Sequence, residues 1–397
     1  MPIRARRQAR PMPDAAGLLP SWRRFGKLQA VSAFSLGTMR AIDSAAQMEA
    51  VLGAAVAAGL NHIETAAAYG PAETFLGQAL ARRSERPQGG WLITSKMLPG
   101  PDRAAAREQL TAMLQRLGVD RLDGLAVHGI NRPEHLDWAL NGPGADLLAW
   151  AQGEGLVAQV GFSSHGSTDL IEAALASGRF AFCSLHLHWF DQERLPLARA
   201  ALADGIGVMA ISPADKGGRL YDPPAELLAA CAPFHPLELA YRFLLDQGIS
   251  TLTLGAAQPS DLVLASAIAG PAAAVDTWLK PEQRHALERL EAAGRARLGA
   301  ERCGQCRACL PCPNDVPIPE LLRLRNLAVG HGMEVFAKER YNLINRAGHW
   351  WLTRNAEACA GCGACLPRCP NGLNIPALLA DTHQRLLVSP GRRLWDD

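Results

Sequence analysis

The first 300 residues of this 397-residue chain hold only two cysteines, Cys183 and Cys231. Both stand alone in apolar context and read as buried thiols. Excess charge is also missing. The formal net charge is +2, which argues against a nucleic-acid or polyphosphate surface as the main business. No run of about 18 uncharged apolar residues exists, so no membrane span is expected. The N-terminal stretch "MPIRARRQARPMPDAAGLLPSWRRFG" lacks the apolar core of a secretory signal and reads as a basic solvated tail, or else as an Arg-rich transit peptide. A cytoplasmic location is expected, and disulfides do not persist there. No Gly-x-Gly-x-x-Gly follows the first strand, where an open doubly wound dinucleotide fold would need it. No flavin fingerprint is found.

What is present is a period. From about residue 30 to 270, short apolar runs alternate with Ala/Leu-rich amphipathic stretches. The runs are "VSAFSLG", "LNHIET", "WLITSK", "LDGLAVH", "VAQVGFS", "FCSLHLHW", "IGVMAIS" and "STLTLG". Each suits a buried strand. The helical stretch "SAAQMEAVLGAAVAAG" opens on Ser44 and ends near Gly59; "DRAAAREQLTAMLQRLG" opens on Asp102 and stops at Gly118. Eight strand–helix units in this length predict a closed α/β (β/α)8 TIM barrel, with the doubly wound sheet as the alternative. The expected organisation is a tail over 1–21, the barrel over 22–295 and a small, mainly α-helical domain over 296–397.

In such a barrel, reactive groups gather at the C-terminal ends of the strands. Glu64 and Tyr69 follow the second strand, Lys96 the third and His128 the fourth. A carboxylate, a phenol, an ammonium and an imidazole suit proton delivery to an oxygen. The ammonium favours the phenolate and should lower the tyrosine pKa; the carboxylate keeps the lysine charged; the imidazole donates to the oxygen as charge builds there. Each residue alone reads as ordinary packing. Four at successive strand ends read as a site. His186 and His188 alternate with leucines on the sixth run and suit either a substrate pocket or packing.

The stretch "GLNHIETAAAYGPAETFLGQAL" resembles the signature of the aldo/keto reductases, and "ITSK", "LAVHGIN" and "GFSSH" follow in the family's order. The resemblance covers roughly residues 22–270. It implies a (β/α)8 barrel using a nicotinamide cofactor, with Tyr69 as general acid, Lys96 tuning it, His128 orienting the substrate oxygen and Glu64 in the place of an aspartate. It also implies cofactor contacts at Ser163 and Ser164 (a Ser-Asn pair in the family), Ser184 (a Gln), Ser212, Lys216, Gly255 and Ser260. Ile211 stands where an aromatic often stacks on the nicotinamide. The late loop "LGAAQPSDL" carries no Lys or Arg for a 2′-phosphate, so little preference for NADPH over NADH is expected.

Eight cysteines crowd the C-terminal region: Cys303, Cys306, Cys309 and Cys312, then Cys359, Cys362, Cys365 and Cys369. The second run is C-x2-C-x2-C-x3-C-P; the first is one residue short before its last cysteine. Zinc needs only four ligands and no third repeat. The spacing matches the ferredoxin run, in which three cysteines hold one cubane and the fourth serves the other. Two 4Fe-4S clusters are expected, one on Cys303, Cys306, Cys309 and Cys369, the other on Cys359, Cys362, Cys365 and Cys312. The whole chain resembles the branch of aldo/keto reductases with a C-terminal ferredoxin-type domain.

A nicotinamide moves two electrons as hydride, whereas a cluster moves one. Three readings follow. The chain is an NAD(P)H-dependent reductase of a small carbonyl, or oxidant of an alcohol, whose clusters stabilise or sense. Or the clusters deliver electrons to a substrate or a redox protein partner at the mouth. Or the barrel is a non-catalytic scaffold for an electron carrier.

Overall fold

The computed structural model describes residues 19–214, 218–346 and 353–388. Lys216 lies outside the described residues. The chain enters through an antiparallel hairpin, β1 (Arg23–Phe25) and β2 (Leu28–Val31). Eight parallel strands follow: β3 (Phe34–Gly37), β4 (His62–Glu64), β5 (Leu92–Met97), β6 (Leu122–Val127), β7 (Val157–Ser164), β8 (Phe182–Leu185), β9 (Gly207–Ala210) and β10 (Thr251–Gly255). Each pairs with the next, and β10 returns to β3, closing the barrel. All eight expected strands are present.

Helices cover the outside, in order α1 (Ala45–Ala57), α2 (Ala72–Arg82), α3 (Arg103–Leu117), α4 (Pro133–Leu140), α5 (Pro143–Gly153), α6 (Thr168–Ala176), α7 (Leu195–Ala203), α8 (Ala225–Cys231), α9 (Pro236–Asp246) and α10 (Val263–Ala269). The caps read from sequence operate. Ser44 accepts from the Gln47 amide at 3.1 Å, and Asp102 from the Ala105 amide at 2.9 Å. Gly118 closes α3 in the left-handed conformation at φ 65°.

The hairpin closes the N-terminal end of the barrel and had no counterpart among the expected strands. Phe25 and Val31 pack with Phe182 and Met209 beneath the barrel. The turn needs Gly26: its φ is 59°, and a Cβ there would lie 2.3 Å from the Ala181 carbonyl oxygen. A second difference is at β8, which ends at Leu185 rather than running on to Trp189. His188 and Asp191 exchange backbone hydrogen bonds at 3.3 and 3.2 Å, turning the chain. His186 and His188 therefore stand in the loop beyond the strand.

Four more helices complete the chain: α11 (Pro281–Leu298), α12 (Ile318–His331), α13 (Glu334–Tyr341) and α14 (Ile375–Leu386). The C-terminal region is helical, as expected. Its helix α11 packs on both α8 of the barrel and α12, and one continuous apolar core runs through both regions. The expected division at 295 and 296 falls within α11.

Inside the barrel His62 is fully buried between Ser35 Oγ at 2.6 Å and Thr94 Oγ1 at 2.8 Å. Burial, helped by the Lys96 charge, depresses its pKa to about 3. Below pH 6.5 the unfolded chain binds a proton here that the folded chain refuses, so stability falls with pH through this window and stops falling near pH 3. His62→Gln cannot take the charge. In urea titrations the wild type should lose roughly 2–3 kcal/mol more than the variant between pH 7 and pH 4.5.

Candidate active site and cluster site

Lys96 lies within β5, near its C-terminal end, and is 2% exposed. Its ammonium forms an ion pair with Glu64, the last residue of β4, and donates to Tyr69 Oη at 2.9 Å and to the Thr65 carbonyl at 3.2 Å. Tyr69 in turn donates to Glu64 Oε1 at 3.2 Å. His128, directly after β6, meets the Tyr69 ring edge-on at 5.7 Å between centroids. The structure thus brings all four predicted residues together. Glu73, four residues past Tyr69 and 1% exposed, accepts from Ser95 Oγ at 2.6 Å and pairs with Arg116 at 2.7 Å. It fixes β5 beside Lys96, which explains a glutamate in that stretch.

One electrostatic expectation is reversed. Burial pushes the Tyr69 phenol above its ordinary range rather than below it. The same burial depresses Lys96, which the Glu64 carboxylate opposes. Tyr69 therefore holds its proton at neutral pH.

The residues expected around a cofactor are less uniform. Ser163 Oγ accepts from the Gly129 amide at 3.0 Å, and Ser164 Oγ donates to the Ile130 carbonyl at 2.6 Å. Both brace the loop after His128. Ser184 is buried, 3.7 Å from the Met209 sulfur. Ser212 takes a left-handed φ of 51° just beyond β9. Gly255 ends β10, and Ser260 is exposed in the turn beyond. The late loop has no cation of its own, yet Arg40 reaches it from the loop after β3: a Cβ on Gly255 would lie 3.3 Å from Arg40 Cδ. Asp261 holds the Ala257 and Gln258 amides at 2.8 and 3.1 Å. Sequence reading did not place Arg40 at this loop; it named Arg40, with Lys216, only as a cation that a strong preference for NADPH would imply.

His165 was also missed. Its Nε2 is 3.3 Å from His186 Nε2, and the His186 and His188 rings lie 5.7 Å apart. Three imidazoles therefore gather beyond β7 and β8. Cys183 and Cys231 are buried as expected, their thiols pushed up to about 12 and about 11 by burial.

In the C-terminal region two recesses open. One is lined by Cys303, Cys306, Cys309 and Cys369 beside Ile318 and Ile375. The other is lined by Cys312, Cys359, Cys362 and Cys365 beside Ile318 and Leu379. Each collects three thiols from one run and one from the other, and all eight cysteines are free. Burial and neighbouring sulfurs push Cys309 up to about 11. Four such thiolates are tolerable together only around a cation, so the donor set fits iron–sulfur clusters.

The aldo/keto reductase family model matches residues 33–262, more than half of the chain, and the 4Fe-4S dicluster domain model matches residues 302–373. The chain belongs to the aldo/keto reductase family and carries a C-terminal 4Fe-4S dicluster domain. An aldo-keto reductase of Mycolicibacterium vanbaalenii is 29% identical over 214 residues, covering 52% of this chain and 72% of that protein. An aldo/keto reductase from Klebsiella pneumoniae solved with NADPH is 25% identical, with a TM-score of 0.55, over 68% of this chain and 94% of that one. AKR11C1 of Bacillus halodurans shares the fold at 18% identity, with a TM-score of 0.57, over 68% and 95%. Among the described residues no helix is long and apolar enough to cross a membrane.

The buried pair makes a stability prediction. Lys96→Met strands the Glu64 carboxylate and should cost about 3–5 kcal/mol in urea denaturation. Adding Glu64→Gln removes the stranded charge, and most of that loss should return.

Proposed function

We propose that the chain is an NADPH-dependent carbonyl reductase, or alcohol oxidant in reverse, with residues 22–295 as its catalytic unit and 296–397 as a unit holding two 4Fe-4S clusters. The observation that carries the reading is the Lys96 ammonium at 2.9 Å from the Tyr69 hydroxyl in a water-poor site closed by Glu64. Bound nicotinamide supplies a hydride to the carbonyl carbon. Tyr69 gives its proton to the carbonyl oxygen, so hydride and proton together make the alcohol. Lys96 stabilises the phenolate left behind, and Glu64 keeps Lys96 charged and in place. His128, edge-on to Tyr69, directs the oxygen toward the phenol. The substrate is a small carbonyl or alcohol, and the compartment is the cytoplasm.

Tyr69→Phe keeps the ring and removes the proton. Carbonyl reduction should fall roughly 10²–10⁴-fold with cofactor affinity nearly unchanged. Retained turnover would remove Tyr69 from the mechanism.

The Klebsiella relative was solved with NADPH, and Arg40 gives this chain a cation beside Gly255 where its own loop has none. Arg40 suits the cofactor's 2′-phosphate, which replaces the expectation of little preference. Arg40→Ala should weaken NADPH binding tenfold or more, about 1.4 kcal/mol, and leave NADH nearly untouched. Equal losses for both cofactors would sink this role.

The cysteines would hold the clusters crosswise, as the two recesses group them. The clusters supply one-electron chemistry. Because a hydride carries two electrons and a cluster takes one, we assign the clusters to sensing redox state and stabilising the helical region. Cys369→Ser should therefore damage the cluster of the first run and Cys312→Ser that of the second, read by electron paramagnetic resonance and iron content. Loss of each variant's own-run cluster would refute the crossing.

A further inference from the structure

The two cysteine runs share a backbone but not a sequence. Gln305 and Arg307 of the first run take φ of 59° and 61°; at the matching places the second run has Gly361 and Gly363, at 67° and 73°. Glycine is the ordinary occupant of this left-handed region, so a side chain held there calls for a reason. Gln305 turns its backbone and side chain toward the Cys303 sulfur, within its own run; Arg307 reaches beyond it. Set between Cys306 and Cys309, its Nη1 lies 3.0 Å from Glu193 Oε2 of the barrel and 2.5 Å from Glu320 Oε1 at the start of α12.

Glu193 leads onward into the barrel. Its other oxygen accepts from Thr168 Oγ1 at 2.7 Å, at the first residue of α6. Arg194 donates to the Gly166 carbonyl at 2.9 Å, and the Gly166 amide donates to Ser164 Oγ at 2.9 Å. The same loop, 186–194, starts at the imidazole cluster and is held a second time by Arg323 of α12, 3.6 Å from Asp191. Among the described residues, the hydrogen bonds of 356–373 stay within the C-terminal region. Among the described residues, only the first run is bonded to the barrel mouth.

We infer that Arg307 is a positioning residue that couples the charge of the first-run cluster to the nicotinamide site at the barrel mouth, through Glu193 and Thr168. The inference rests on the nicotinamide reading above. One electron from an external one-electron donor adds one negative charge beside Arg307. The guanidinium is then drawn toward the cluster and holds Glu193 less firmly. The loops at 164–168 and 186–194 loosen, and the mouth binds its dinucleotide more weakly. Linkage requires the converse: the dinucleotide must bind the oxidised protein better and so lower that cluster's potential.

The test is a potentiometric titration of the anaerobic full-length protein, followed by electron paramagnetic resonance, with and without saturating tetrahydro-NADP. This probe is a nicotinamide dinucleotide that delivers no hydride. A tenfold difference in affinity lowers one cluster's potential by about 59 mV for a one-electron couple. The other cluster should not move. In Arg307→Gly, which has the residue the second run already tolerates, and in Glu193→Gln, both clusters should form and the probe-induced shift should fall to less than a third. Glu320→Gln, on the same guanidinium but outside the barrel, should keep it. No shift in the wild type, or a full shift in Arg307→Gly, overturns the coupling while leaving the reductase reading intact. Calorimetry on the same samples separates the two: a probe that does not bind at all defeats the nicotinamide reading and the coupling with it.

Discussion

An ammonium that is 2% exposed inside a barrel of apolar strands is the constraint around which the mouth is built. Burying such a charge is costly unless it is paired and hydrogen-bonded. Glu64 neutralises Lys96, Tyr69 and the Thr65 carbonyl take its remaining protons, and Glu73 braces the strand that carries it. The arrangement meets the cost of burial and aims an ammonium at a phenol. Stability is served by the same contacts that aim the ammonium at the phenol. His62, two residues before Glu64 on the same strand, stays neutral because burial disfavours its charged form and the lysine charge adds to that.

The second half of the molecule is joined to the first by more than a peptide link. Helix α11 and the continuous core give it an apolar footing; Arg323 with Asp191 and Arg307 with Glu193 add half-buried ion pairs, and Arg219 with Glu339 at 2.8 Å an exposed one. Phe190 meets His331 at a tilt across the same junction, with ring centroids 5.0 Å apart. Such pairs contribute modestly to stability, and their greater effect is on register and on communication of charge. A hydride and a single electron do not interconvert without an adapter. A junction made of charged side chains suits sensing better than conduction.

The barrel was legible because its strands are buried on both faces and announce themselves as apolar runs, while Ser44, Asp102 and Gly118 mark helix ends by local chemistry alone. The site was legible for the same reason: residues at the ends of successive strands must meet. The cysteine grouping followed from spacing. What stayed hidden depends on distant segments meeting. The hairpin at residues 23–31 is set by close approach of Gly26 to Ala181. Arg40 lies against a loop more than two hundred residues away in sequence. His165 acquires meaning only beside His186. The raised tyrosine pKa was missed because sequence names the neighbouring lysine but not the depth of burial that outweighs it.

The central claim is that the barrel handles hydride and the clusters respond without accepting it. Anaerobic protein with both clusters oxidised can be titrated with NADPH while nicotinamide fluorescence and cluster absorbance are followed together. The account predicts saturable fluorescence change with unbleached clusters, and NADPH oxidation only once a carbonyl substrate is added. Bleaching of the clusters in step with NADPH oxidation, with no added carrier or carbonyl, would contradict it.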